Sequence, residues 1–201
     1  MAPTPKLRWI MSARGKPEHD VGMSRSAPPL LPTPDAGFDQ PFEMLLTCHE
    51  RVERMLGLLE RLALHLQSHG ADDQALDAAQ QLMRYFDLAA PAHHEDEERH
   101  VIPLLAKSHP ALARQLLDEH EQMTQQWQRV RADLVALSAQ TAASASQPAA
   151  RWSTFVALYR RHLLAEEKLA FVTVRPQLSD PDLQLMSQEM AQRRSTPLRR
   201  P

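Results

Sequence analysis

Ala92-His93-His94-Glu95-Asp96-Glu97-Glu98-Arg99-His100 crowds imidazoles and carboxylates into a single stretch, and its reading as helix decides the rest. At about 100° of rotation per residue, Glu98 returns to within roughly 40° of His94, and Glu95 sits about 60° from Glu98 on the other side. One imidazole and two carboxylates then project together. Such a trio suits a cation that takes mixed nitrogen and oxygen ligands, and it is incomplete by itself. Other parts of the chain must supply the remaining donors.

The chain has 201 residues, 43% of them hydrophobic, with only 5 glycines. Abundant Leu, Ala, Gln, Glu and Arg favour helix over sheet, so one all-helical domain is expected. A formal net charge of -2 gives no broad basic field to attract phosphates, which argues against nucleic acid as a partner. The single cysteine, Cys48, excludes an internal disulfide. Without a long apolar run or a secretory-type apolar segment, the expected setting is the cytoplasm, with no membrane partner.

Residues 1–38 are rich in proline and small polar residues and read as a disordered arm. Residues 39–176 read as the bundle, and 177–201 as a short helix with a basic tail. In the first helix, about Phe42 to Gln67, the stripe is Leu45, His49, Val52, Leu56, Leu59, Ala63 and Leu66. Gly70 ends it and Asp72 caps the next. The second helix, about Asp73 to Leu105, shows Ala79, Met83, Phe86, Ala90, His94, Glu98, Val101 and Leu105. Pro91 should kink it, and Pro103 should strain its last turns. The third, about Pro110 to Leu137, shows Leu112, Leu116, His120, Met123, Trp127, Val130, Leu134 and Leu137. After a flexible connection over residues 138–150, the fourth runs from Trp152 to about Val174 with Phe155, Tyr159, His162, Glu166, Leu169 and Thr173. Asp180-Pro181 opens a short fifth helix to about Gln192.

Each long helix thus carries one histidine on its buried stripe, where an unpartnered polar group costs roughly 1 to 3 kcal/mol. In an up-down-up-down four-helix bundle with about 1.5 Å of rise per residue, His49, His94, His120 and His162 fall at one height, together with Glu166. Two six-coordinate ions offer about twelve ligand positions, which four imidazoles, two bridging carboxylates, Glu95 and a bridging oxygen nearly fill. The donor set favours iron, ahead of manganese or zinc.

Cys48-His49-Glu50-Arg51, His93-His94-Glu95 through Glu98, Glu119-His120-Glu121, and His162 through Glu166-Glu167 together resemble the hemerythrin family, in its bacterial form with the HHE cation-binding signature. The resemblance spans about residues 40 to 176. It implies a non-haem di-iron centre in which His49, His94, His120 and His162 are terminal ligands and Glu98 and Glu166 bridge. Oxygen-carrying members have a second histidine one turn from the third-helix ligand, where this chain has Leu116 and Thr124. Glu95 stands in its place, as in iron-sensing relatives.

The resemblance therefore implies two iron ions and binding of dioxygen or a related small ligand, in oxygen, redox or iron sensing or in protection. No motif marks a substrate path or an electron donor, so binding rather than turnover is expected. The alternative is a di-iron oxidoreductase acting on ferrous iron, peroxide or nitric oxide. His93 is placed beside the site rather than in it, and Glu97 and Glu167 behind it or in solvent. Cys48 is read as a packing residue.

Overall fold

The computed structural model describes residues 40–139 and 148–195. The proposed N-terminal arm, most of the connection before the fourth long helix and the end of the tail lie outside the described residues. Helix α1 spans Pro41–His69, α2 Asp73–His100, α3 Ile102–Ser108, α4 Pro110–Ser138, α5 Pro148–Ala165, α6 Phe171–Val174 and α7 Asp180–Ser195. A π-helical turn, Glu166–Ala170, joins α5 to α6. The long helices form a closed ring of neighbours: α1 beside α2, α2 beside α4, α4 beside α5, and α5 beside α1.

Local chemistry sets the helix ends. Gly70 adopts φ 77°, a conformation that costs a residue without a Cβ little, and its N–H donates to the Leu66 carbonyl. The Asp72 carboxylate caps α2 by accepting from the Ala75 N–H at 2.9 Å, and it also accepts from His65 Nε2 at 2.9 Å. Helix α2 continues through Pro91, although that residue has no N–H to give the Asp87 carbonyl, and it ends at His100, ahead of Pro103, which also lacks an N–H. What reads as the end of one long helix is therefore a separate short helix, α3, lying against α4. At the start of α7, Ser179 Oγ accepts from the Asp182 N–H at 3.4 Å and the Ser179 N–H donates to the Asp182 carboxylate at 3.0 Å, so Ser179 takes the capping role expected of Asp180.

Two apolar clusters fill the interior. The first gathers Val52, Leu56, Leu59, Leu82, Val130 and Leu134 around Phe86, whose ring lies 4.9 Å from Trp127 and 5.2 Å from Phe155. In the second, Phe42 meets Phe171 edge-on at 5.6 Å, with Leu45, Leu105 and Leu116 alongside. Each such side chain fully buried contributes about 1.5 to 3 kcal/mol. Helix α7 adds Met186 and Met190 to this second cluster. It also runs beyond Gln192, so Arg193 and Arg194 belong to the helix rather than to the basic tail expected after it. Both clasp the fully buried carboxylate of Asp96, Arg193 Nη2 donating at 2.6 Å to one oxygen and Arg194 Nη2 at 2.5 Å to the other.

Between the clusters lies a polar layer. On α1 it falls between Leu45 and Val52, on α2 between Ala90 and Val101, on α4 between Leu116 and Met123, and on the last long helix between Tyr159 and Ala170. No helix of the described residues is long and apolar enough to cross a membrane.

Candidate metal centre

Six side chains converge in the polar layer, and all are buried: His49, His93, Glu97, His120, His162 and Glu166. Helical spacing explains two pairs, because residues four apart share a face. His93 Nε2 lies 3.3 Å from Glu97 Oε1, and His162 Nε2 lies 3.1 Å from Glu166 Oε1. The π turn begins at Glu166, inserting an extra residue where the carboxylate enters the site.

The two carboxylates straddle two pairs of histidines. Glu97 turns Oε1 toward His49 and His93, at 3.5 and 3.3 Å, and Oε2 toward His120, at 3.7 Å. Glu166 turns Oε2 toward His49, at 3.4 Å, and Oε1 toward His120 and His162, at 3.8 and 3.1 Å. The donors accordingly form two groups that share both carboxylates: His49 and His93 with Glu97 and Glu166, and His120 and His162 with the same two. Within each group the donor atoms lie within 4.8 Å of one another.

The sequence profile of the hemerythrin HHE cation-binding domain matches residues 40–174, the segment that carries all six donors. The chain belongs to the hemerythrin HHE family. An uncharacterized protein of Haemophilus influenzae is similar to it, 32% identical over 168 residues that cover 82% of this chain and 96% of the relative. As a hemerythrin-like helical bundle, the chain is a cation-binding domain.

The donors of this hemerythrin-like layer fit a cation. Both ring nitrogens of His93, Glu97 Oε2 and Glu166 Oε2 are buried without hydrogen-bond partners, a set of costs that a shared cation would remove. Three of the four histidines are also steered from behind. His49 donates through Nδ1 to Glu167 at 3.0 Å, His120 to Glu98 at 2.8 Å, and His162 to Glu119 at 2.9 Å. Each bond fixes a tautomer with Nδ1 protonated and leaves Nε2 facing the layer, the arrangement in which an outer carboxylate orients a ligating imidazole.

The metal-free charges are set by these contacts. Burial alone would lower the pKa of His49, but hydrogen bonds and charge from Glu166 and Glu97 outweigh it and hold it well above its usual range. His120 is treated alike: burial opposes, Glu166 and Glu98 prevail, and the pKa rises to about 10. Burial drives His93 and His94 well below the usual imidazole value, aided by the charge of His49 on the first and of His120 on the second. Glu97 is pushed up to about 7 by burial and by the neighbouring Glu166. Glu166 stays ionised, because the charge of His162 and its imidazole donors overcome its burial.

Of the residues expected from sequence, the structure brings His49, His120, His162 and Glu166 together in the layer. His94 is buried beside it, stacked on His120 at 4.1 Å, but belongs to neither donor group. Glu95 and Glu98 face outward, 46% and 44% exposed. Their places on α2 are taken by Glu97 and His93, because the buried face there runs through Ala79, Leu82, Phe86, Ala89, His93 and Glu97, one residue ahead of the expected stripe. Spacing alone could not choose between them, because His93–Glu97 and His94–Glu98 both repeat the interval of His162–Glu166.

Proposed function

We propose that this chain holds two iron ions, one beside His49 and His93 and the other beside His120 and His162, bridged by Glu97 and Glu166. The observation that carries this reading is that each buried carboxylate offers one oxygen to each histidine pair. Imidazole and carboxylate without thiolate is a donor set that suits non-haem iron. Bound iron would supply redox chemistry and affinity for dioxygen or a related small molecule. The role that follows is binding of such a ligand in sensing or protection.

The chain's own part is to position and to exclude. Glu167, Glu98 and Glu119 hold three imidazoles in orientation. Phe171 stacks on His49 at 5.3 Å, and the Phe86 cluster closes the layer from the other end, so apolar side chains cover the donors at both ends. A dry surround of this kind governs potential and ligand access.

Anaerobic loading with ferrous iron, followed by metal analysis and then exposure to air, tests the reading. The expected result is about two irons per chain, as the two groups of donors imply, and an absorbance change on exposure to oxygen. Glu97→Ala and His162→Ala should lose metal, whereas Glu95→Gln, whose carboxylate pairs with Arg99 outside the layer, should keep the stoichiometry. Normal loading of Glu97→Ala, or loss of metal in Glu95→Gln, would overturn the assignment.

A further inference from the structure

The polar layer is enclosed, so a hydrated cation must cross the bundle wall to reach it. Two cavities approach from opposite sides. One, of about 440 Å³ between α1 and α5, ends on His49 and Glu167 and carries Arg54 and Arg160 in its wall. The other, of about 280 Å³ between α2 and α4, ends on His94 and His120. Glu95, Glu98 and Glu121 stand in its wall with no lysine or arginine among its lining residues.

The α2–α4 cavity has a second feature. His94 is only 8% exposed, yet among the described residues it makes ring contacts alone, with His93, His120, Tyr159 and His162, and no hydrogen bond or ion pair. Its ring nitrogens are not among the sealed, unsatisfied atoms of the interior, and the ring lines the cavity, so the imidazole is open to a ligand arriving there. The three carboxylates are engaged but not saturated. Glu95 holds Arg99 at 2.6 Å, Glu98 accepts from His120, and Glu121 accepts from Gln125 at 3.1 Å. Each keeps further acceptor positions. His120 is the wall common to cavity and layer, with Nδ1 on Glu98 and Nε2 toward Glu97 and Glu166.

We propose that the α2–α4 cavity is a second, transient site for a divalent cation. Glu95, Glu98 and Glu121 collect the hydrated ion, and the unpaired imidazole of His94 becomes its first nitrogen ligand before it passes His120 into the layer. The site is transient because its donors do not converge as the two groups in the layer do. The α1–α5 cavity is less suited to this task, since its carboxylates Glu50, Glu53 and Glu167 are offset by the guanidinium groups of Arg54 and Arg160, whereas no such cation is among the described lining of the α2–α4 cavity.

The inference rests on the layer being a metal site, and the experiment separates the two. Metal-free full-length protein is mixed anaerobically with ferrous iron in a stopped-flow instrument, with uptake followed by competition against a chromophoric chelator and the final metal content measured afterwards. Glu95→Gln and Glu121→Gln should each slow uptake about threefold at low salt and much less at high salt, with unchanged final content. His94→Gln should slow it about tenfold, again with unchanged final content, as loss of one nitrogen ligand from a capture step predicts. Glu50→Gln, at the mouth of the other cavity, should load at the wild-type rate. Wild-type rates in both Glu121→Gln and His94→Gln, equal slowing by Glu50→Gln, or reduced final content in His94→Gln would each overturn the proposal. Failure of the wild-type chain to take up metal would instead overturn the function on which it rests.

Discussion

The two halves of α2 run through one bundle, yet they are held there by different forces. Before Pro91 the buried residues are Ala75, Ala78, Ala79, Leu82, Tyr85, Phe86, Ala89 and Ala90; after it they are His93, His94, Asp96 and Glu97. The first half is stabilised by burial that needs nothing from outside the chain. In the second, every buried group demands a partner: Asp96 finds two arginines from α7, while both nitrogens of His93 and one oxygen of Glu97 make no hydrogen bond among the described residues. One helix therefore joins a self-sufficient core to a layer whose stability depends on what it binds.

Breaking the apolar half should give the largest effect. Phe86→Ala removes the ring that touches Trp127, Phe155, Tyr85 and Tyr159, and truncations of this kind cost about 3 to 5 kcal/mol. Urea denaturation should show that loss equally in metal-free and metal-loaded protein. In the polar half, Asp96→Ala leaves two guanidinium groups facing an empty position, and removing one partner of a buried ion pair also costs about 3 to 5 kcal/mol. Here the loss should be accompanied by weaker metal retention, because Asp96 precedes Glu97 directly.

Metal removal sharpens the contrast. A ligand held at a hundredfold its dissociation constant stabilises by about 2.7 kcal/mol, so chelation should lower the melting temperature of the wild-type chain and leave that of Glu97→Ala unmoved. An equal response of both proteins would mean that the stabilising metal sits elsewhere.

The pH response of the metal-free protein follows from the raised histidines. His120 has a folded pKa of about 10 against an ordinary 6.5, so the stability it contributes is complete below about pH 6.5 and lost as pH rises through 10. His49 acts in the same direction. Melting temperatures recorded from pH 6.5 to 10 should fall for the metal-free chain, and less so for His120→Gln.

The α4 stripe was legible residue by residue: from Leu116 through Leu137 every expected position is buried. There a single histidine interrupts clean apolar spacing, so the phase is unambiguous. On α2 the phase was not legible from periodicity, because His93-His94 and Glu97-Glu98 are doublets and a step of about 100° decides which member faces inward. A slip of one residue exchanges donors of the same chemistry and leaves the pattern apparently intact. Asp96 was hidden for another reason. Its partners lie about a hundred residues away on α7, and a carboxylate within a charged run gives no local sign of burial.

The smallest expected effect concerns the π turn. An uninterrupted α-helix carries the buried stripe from Glu166 to Leu169 and Thr173, whereas the extra residue of the π turn advances it to Ala170, Phe171 and Val174. Leu169 is left 53% exposed, so Leu169→Ala should change stability by no more than about 0.5 kcal/mol and leave metal content unaltered. Phe171→Ala should cost about 3 to 5 kcal/mol, because that ring is buried between His49 and Phe42. The pair reads the helix phase directly: a regular helix would reverse the ranking. It also places the π turn at the boundary between polar layer and second apolar cluster, where one inserted residue lets Glu166 face the histidines while Phe171 closes the layer beneath them.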